Sequence, residues 1–386
     1  MKERIHIGFF GCRNVGKSSL VNRITNQDMS IVSNIKGTTT DTVKKSMELL
    51  PIGPVLIIDT PGFDDEGELG KKRVNATKKI LQNCDVAILV TEVDRNLNNV
   101  EQELLEIFKN RKIPYIIVKN KCDIINKKFQ NKDNIIYISA ENGFGIEELK
   151  NKIGKSLKTS NEKPLIGDLL EEKDIVVLVT PIDSAAPKNR LILPQQFAIR
   201  DIINASAIPI VVKETELQDA INLLNKKPKL VITDSQVFSF VNKVVPQDIK
   251  LTSFSILMAR YKGFLETAIK GVKKIEELNS NSKILISEGC THHRQCDDIG
   301  TVKLPKLLNN YTGLDLNFEW TSGNGFPEDL GQYDLVIHCG GCMVTTNELL
   351  HRMNISIEQN ISFTNYGITI AYITGILNRS TEIFFN

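Results

Sequence analysis

The chain opens with a short β-branched run, Ile5 to Phe10, that ends in a glycine-rich loop and is followed by a helical pattern. Val55 to Ile58, Val86 to Val90, Tyr115 to Val118 and Ile135 to Ile138 are further apolar runs of this kind, each flanked by turn or polar residues. Such runs separated by helix-length segments predict a mostly parallel sheet with covering helices. The pattern breaks where the chain turns polar and lysine-rich, and Lys158 to Pro164 predicts a linker. A second series follows at Ile175 to Val179, Ile208 to Val212, Leu230 to Thr233 and Leu251 to Phe254. The amphipathic stretches Gln195 to Asn204, Glu214 to Leu224 and Gln236 to Val244 lie between them. This segment has α/β patterning but no phosphate loop and no convergent acid–base set, which predicts an interaction or dimerisation domain. A third series, from about Lys262, comprises Lys283 to Ser287, Leu316 to Trp320, Asp334 to Ile337 and Ile361 to Thr364. The expected fold class is α/β in three domains, at 1–160, 168–260 and 262–386, and no internal repeat is visible.

Length agrees with this division, since 386 residues exceed one ordinary core. No apolar run approaches the roughly 18–20 residues needed to span a bilayer, so no membrane partner is expected. Met1 to Phe10 reads as a first strand rather than a signal peptide. The formal charge is +2, with lysines interleaved among acids as at Glu101 to Lys112. A nucleic-acid surface needs a concentrated basic face, so nucleic acid is not indicated. Seven cysteines without a secretion signal predict a reducing cytoplasm rather than a disulfide framework. Cys12, Cys84 and Cys122 stand singly and are expected to be small buried or loop residues, whereas Cys290, Cys296, Cys339 and Cys342 gather late in the chain.

Gly11-Cys-Arg-Asn-Val-Gly-Lys-Ser18 fits G-x-x-x-x-G-K-S between a strand and a helix. In such a loop Gly11, Val15, Gly16 and Ser19 wrap backbone around phosphates, Lys17 neutralises the β- and γ-phosphates, and Ser18 suits Mg²⁺. Asp59-Thr-Pro-Gly62 supplies a carboxylate for water on Mg²⁺ and a glycine amide for the γ-phosphate. Gly37-Thr-Thr-Thr-Asp41 lies where a first switch belongs, with Thr38 or Thr39 available to Mg²⁺. Asn120-Lys121-Cys122-Asp123 and Ser139-Ala140 each follow a strand. Asp123 can accept two guanine N–H groups, a pairing that rejects adenine. Five elements in order identify a GTPase that binds GTP, GDP and Mg²⁺. Phe63 stands where Ras-type GTPases carry a water-orienting glutamine, so slow hydrolysis is expected. Asn14 occupies the position at which GTPases resembling the tRNA-modification GTPase bind potassium; a K⁺ there would stabilise charge between the β- and γ-phosphates, while its plainer role is to cap a turn.

Cys290-Thr-His292 and His338-Cys-Gly-Gly-Cys342 each begin where an apolar strand ends. If those strands are parallel neighbours, their carboxyl ends bring Cys290 beside Cys339 and Cys342, at the usual ligand crevice of an open sheet. Gly340 and Gly341 free the backbone to aim amides at sulfur. On the residues alone, an iron–sulfur cluster, a structural zinc and a redox dithiol at Cys339 and Cys342 all stand. Cys296 is a spare ligand, and His293 and His351 read as ordinary residues.

The pattern C-x-H, then 45 residues, then H-C-x-x-C, joined to this GTPase, resembles the FeFe-hydrogenase maturation GTPases (the HydF family). The resemblance covers the whole chain, including Val176 to Gln195 with its Thr-Pro-Ile-Asp-Ser-Ala-Ala-Pro. It implies that Cys290, Cys339 and Cys342 ligate a 4Fe-4S cluster with an exchangeable fourth site. His292 and His338 are then a fourth ligand, an orienting group or a cargo contact. It further implies a carrier that holds a transient diiron subcluster precursor built by radical-SAM maturases and hands it to apo FeFe-hydrogenase, with the middle domain making a homodimer. The competing reading is a translation- or tRNA-associated GTPase with a structural zinc domain, which predicts zinc and a basic face.

Overall fold

The computed structural model describes residues 5–25, 43–50, 52–60, 62, 80–81, 84–125, 129–158, 164–181, 191–289, 298–323 and 325–385. The switch segment Gly37 to Asp41, Phe63, most of the expected linker, most of the Thr-Pro-Ile-Asp-Ser-Ala-Ala-Pro stretch, Cys290, His292, His293 and Cys296 lie outside them. The chain divides into two compact units, 2–162 and 163–386.

In the first unit six strands stand in the order β2-β3-β1-β4-β5-β6. They are β1 (Ile5–Phe10), β2 (Val43–Leu49), β3 (Gly53–Asp59), β4 (Val86–Glu92), β5 (Tyr115–Asn120) and β6 (Ile135–Tyr137). All pairings are parallel except that of β2 with β3. Helices α1 (Lys17–Thr25), α2 (Asn99–Asn110) and α3 (Ile146–Lys158) belong to this unit. Central strand β4 is buried from Val86 to Thr91, as a strand covered on both faces must be. β2 is the strand that the apolar runs do not announce. Lys44, Ser46 and Glu48 alternate outward on this sheet edge, so one face stays wet and the segment lacks a hydrophobic run.

The second unit contains two four-stranded parallel sheets. One has the order β10-β9-β7-β8, from β7 (Ile175–Val179), β8 (Ile208–Val212), β9 (Leu230–Thr233) and β10 (Lys250–Ser253). The other has the order β12-β11-β13-β14, from β11 (Lys283–Glu288), β12 (Asn317–Ser322), β13 (Leu335–His338) and β14 (Ser362–Asn365). One continuous core joins them, running from Val177, Val231 and Leu251 of the first sheet to Leu285, Val336 and Phe363 of the second.

A repeat that the sequence does not display is present in this topology. Each sheet carries its strands in the spatial order fourth, third, first, second. Each fourth strand runs through a capping side chain into a helix: Ser253 accepts from the Ile256 amide to start α7 (Phe254–Tyr261), and Asn365 accepts from the Ile368 amide to start α11 (Tyr366–Ile373). Both helices are followed by a left-handed glycine, Gly263 at φ 79° and Gly375 at φ 73°. The intervening helices are α4 (Leu193–Asn204), α5 (Leu217–Leu223) and α6 (Phe238–Val244) in the first module. α8 (Leu265–Gly271) joins the two modules, and α9 (Leu304–Thr312) and α10 (Thr346–Glu358) lie in the second, which α12 (Leu377–Thr381) follows. The starts of α7 and α11 touch: Asn365 Nδ2 donates to Ser255 O at 3.1 Å, and a Cβ on Gly367 would lie 2.4 Å from that of Ser255.

Candidate functional sites

The phosphate loop links β1 to α1, and its shape depends on residues that tolerate unusual backbone. Gly11 has φ 145° and Gly16 φ 87°, while Asn14 holds the left-handed region at φ 58°. Side chains are also excluded by space, since a Cβ on Gly11 would meet Val90 O at 2.1 Å and one on Gly16 would meet Asn120 Nδ2 at 2.3 Å. Lys17, buried, donates to Gly11 O at 2.8 Å and Cys12 O at 2.7 Å. Ser18 Oγ donates to Asp59 Oδ2 at 2.8 Å, so these two expected Mg²⁺ residues converge, while Thr39 is outside the described residues. Burial raises the Asp59 carboxyl above its ordinary range, against the opposing pull of Ser18 and Lys17. Its Oδ1 is buried with no hydrogen-bond partner among the described residues. A buried carboxylate oxygen left open is what a water-bridged cation would use. Gly62 closes on the phosphate loop, where a Cβ would come within 2.5 Å of Arg13 Cγ and 2.8 Å of Arg13 N.

Asn120 ties the guanine side to the phosphate loop. Its Nδ2 donates to Val15 O at 2.9 Å and its Oδ1 accepts from the Ala140 amide at 3.0 Å. Lys121, left-handed at φ 66°, pairs with Glu92. Asp123 is exposed just beyond it, open to a base. Ser139 is buried, and its Oγ accepts from the Asn142 amide at 3.2 Å. Ser19 lies in the first turn of α1.

In the second unit β11 and β13 are parallel neighbours, with Ser287 opposite His338. Both cysteine motifs therefore leave the same end of adjacent strands. Cys339 and Cys342 are half-buried, and Cys339 Sγ accepts from Gly289 N at 3.1 Å and from Gly341 N at 3.4 Å. Burial pushes the Cys339 thiol up to about 11, and the two amides oppose it. Among the described residues no three His, Cys, Asp or Glu side chains form a metal-binding group; Cys290 lies outside them. The donor set still fits an iron–sulfur cluster, because amides aimed at sulfur stabilise anionic thiolate.

His338 is fully buried and both its ring nitrogens are engaged. Arg352 Nη1 can only donate, and it lies 3.1 Å from Nε2, so Nδ1 carries the proton and donates to Cys339 O at 2.8 Å. Burial and the neighbouring guanidinium push His338 down to about 3, which keeps it neutral. Arg352 is itself 1% exposed, with Nε donating to Glu348 Oε1 at 2.8 Å and Nη2 to Gly323 O at 2.7 Å. Lys262, 0% exposed, donates to Val344 O. The sequence did not single out Arg352 or Lys262, because a charged residue in or beside an amphipathic helix reads as a solvated one.

Known proteins divide along the same lines. Residues 6–121 match the family model described as 50S ribosome-binding GTPase. Residues 165–263 match the Hydrogen maturase F dimerization domain, and residues 266–383 the Hydrogen maturase F tetramerization domain. The chain belongs to the hydrogen maturase F family. The two family-specific domains adjoin and together cover more than half of the chain. Curated relatives of the GTPase part include the tRNA modification GTPase MnmE of Prochlorococcus marinus (strain NATL1A), 32% identical over 169 residues, or 42% of this chain and 36% of that protein. GTPase Der of Wolinella succinogenes is 32% identical over 167 residues, or 39% of this chain and 35% of that protein. The chain thus spans little more than a third of the length of these relatives. Among solved structures, the probable GTP-binding protein engB is 26% identical, with 40% of this chain and 99% of that chain covered at a TM-score of 0.33. The hydrogen maturase F domains favour the hydrogenase-maturation resemblance for residues 165–263 and 266–383, and the family's tetramerization domain adds an assembly that sequence reading, which expected a dimer, did not foresee.

Proposed function

We propose that this chain is a cytoplasmic, GTP-hydrolysing scaffold and carrier in FeFe-hydrogenase maturation. It holds a diiron subcluster precursor, received from radical-SAM maturases, beside a 4Fe-4S cluster and passes it to apo-hydrogenase. The observation that carries this reading is the Gly289 N to Cys339 Sγ bond of 3.1 Å across neighbouring parallel strands, in a chain whose family is hydrogen maturase F. Cys290, Cys339 and Cys342 hold the cluster, which supplies an open iron coordination site. Gly289 and Gly341 amides soften the thiolate charge, and His338 orients the loop through Cys339 O rather than ligating. His292 is the motif histidine left for a fourth ligand or a cargo contact.

In the GTPase unit Lys17 neutralises the β- and γ-phosphates, and the Gly62 amide meets the γ-phosphate. Ser18 and Thr39 hold Mg²⁺, and Asp59 Oδ1 accepts from a bound water. Asp123 selects guanine, and Asn14 holds K⁺, which stands in for an arginine finger in a slow reaction. The homodimer has an edge to use: β8 closes its sheet with Ile208 46% and Val211 43% exposed, and an apolar edge strand pairs readily with a second copy.

The test is activation. Chain isolated from cells producing the maturases should confer hydrogen evolution on apo FeFe-hydrogenase, and chain carrying Cys339→Ala should not. Equal activation by both proteins rejects the carrier role.

A further inference from the structure

Lys262 stands out because burial of a lysine is expensive and its position ties the two modules together. It belongs to the first module, in the residue after α7, where the second module has Thr374 after α11. Its side chain crosses to the second module and donates to Val344 O, two residues beyond Cys342. Helix α7 lies against the same loop, since a Cβ on Gly340 would be 3.7 Å from Ser255 Oγ. The second buried cation, Arg352, reaches the loop from its own module through His338. Arg352 is paired with buried Glu348, whereas Lys262 is bonded to the backbone of the loop itself, with none of its side chain exposed.

We propose that Lys262 is a positioning and charge-compensating residue for the iron–sulfur cluster, holding the Cys339–Cys342 loop by Val344 O and raising the cluster's reduction potential. The inference rests on the cluster reading above. A cluster bound by thiolates is anionic and gains a further negative charge on one-electron reduction, so a nearby fixed cation favours the reduced form. The first module thereby contributes to the site of the second, although its own loop in the matching place, Asp234 to Val237 after β9, contains no cysteine.

The test uses the full chain, reconstituted with iron and sulfide and titrated with dithionite. Lys262→Gln keeps a donor but removes the charge; Lys262→Met keeps the apolar stem and leaves no charge to bury, so it folds even if the glutamine does not. Both variants should retain iron while their potential falls, with the reduced-to-oxidised ratio at a fixed poise dropping about tenfold, or about 59 mV for a one-electron couple. Lys262→Arg should stay near the wild type. A loaded Lys262→Gln or Lys262→Met chain with unchanged potential overturns this inference alone. A wild-type chain that takes up no iron and sulfide overturns the cluster reading together with it.

Discussion

The Gly289 amide lies 3.1 Å from the Cys339 sulfur, joining the residue before Cys290 to the first thiol of the C-x-x-C loop across β11 and β13. Glycine is required there because a Cβ would come within 2.1 Å of Val344 Cγ2. Gly289→Ala should therefore cost about 1–3 kcal/mol by overpacking and weaken iron retention. Adding Val344→Ala should restore both. Thermal melting and iron analysis of the two variants check this, and an unperturbed single variant would contradict it.

The role of His338 separates cleanly from that of a ligand. His338→Ala strands buried Arg352 Nη1 and the Cys339 carbonyl, at about 1–3 kcal/mol for each unsatisfied group. Stability in denaturant should fall accordingly, while iron per folded chain and the cluster's spectrum stay as in the wild type. A changed spectrum at full iron content would make His338 a ligand.

Strand ends were the most legible feature of this chain. β7 and β9 coincide with the apolar runs at Ile175 and Leu230, because parallel strands covered on both faces exclude polar residues; edge strand β8 coincides with the run at Ile208 although it is partly exposed. The neighbourhood of β11 and β13 was only a condition of the sequence reading, and the parallel pairing of the two strands meets it. The internal repeat was hidden, since matching positions such as Leu251 and Phe363, or Ser253 and Asn365, share a physical role rather than an identity. Buried Arg352 and Lys262 were hidden for another reason: only tertiary packing shows that a charged side chain is covered.

Asp59 sets stability against function. Its carboxyl is raised by burial, so the folded chain holds this proton more tightly than the unfolded chain does. That contribution is complete below the ordinary carboxylate range and is lost as pH rises towards the folded value. Ionising this buried group in the nucleotide-free protein therefore costs stability. Asp59→Asn should raise the melting temperature of nucleotide-free protein at pH 7 and slow GTP hydrolysis at least about 100-fold. A lower melting temperature would contradict the burial argument.

Asn14 gives a cation dependence. GTP hydrolysis should run about tenfold faster in K⁺ than in Na⁺, and Asn14→Ala should erase the difference. Equal rates of the wild type in the two salts would leave Asn14, left-handed at φ 58°, as a turn residue only.

Cys290, Cys339 and Cys342 are proposed to hold a 4Fe-4S cluster. Metal and acid-labile sulfide should be counted in protein purified without oxygen and reconstituted, alongside Cys339→Ala. About four irons and four sulfides per chain, lost in the variant, is the predicted result. About one zinc per chain, without sulfide and without a cluster after reconstitution, would contradict it.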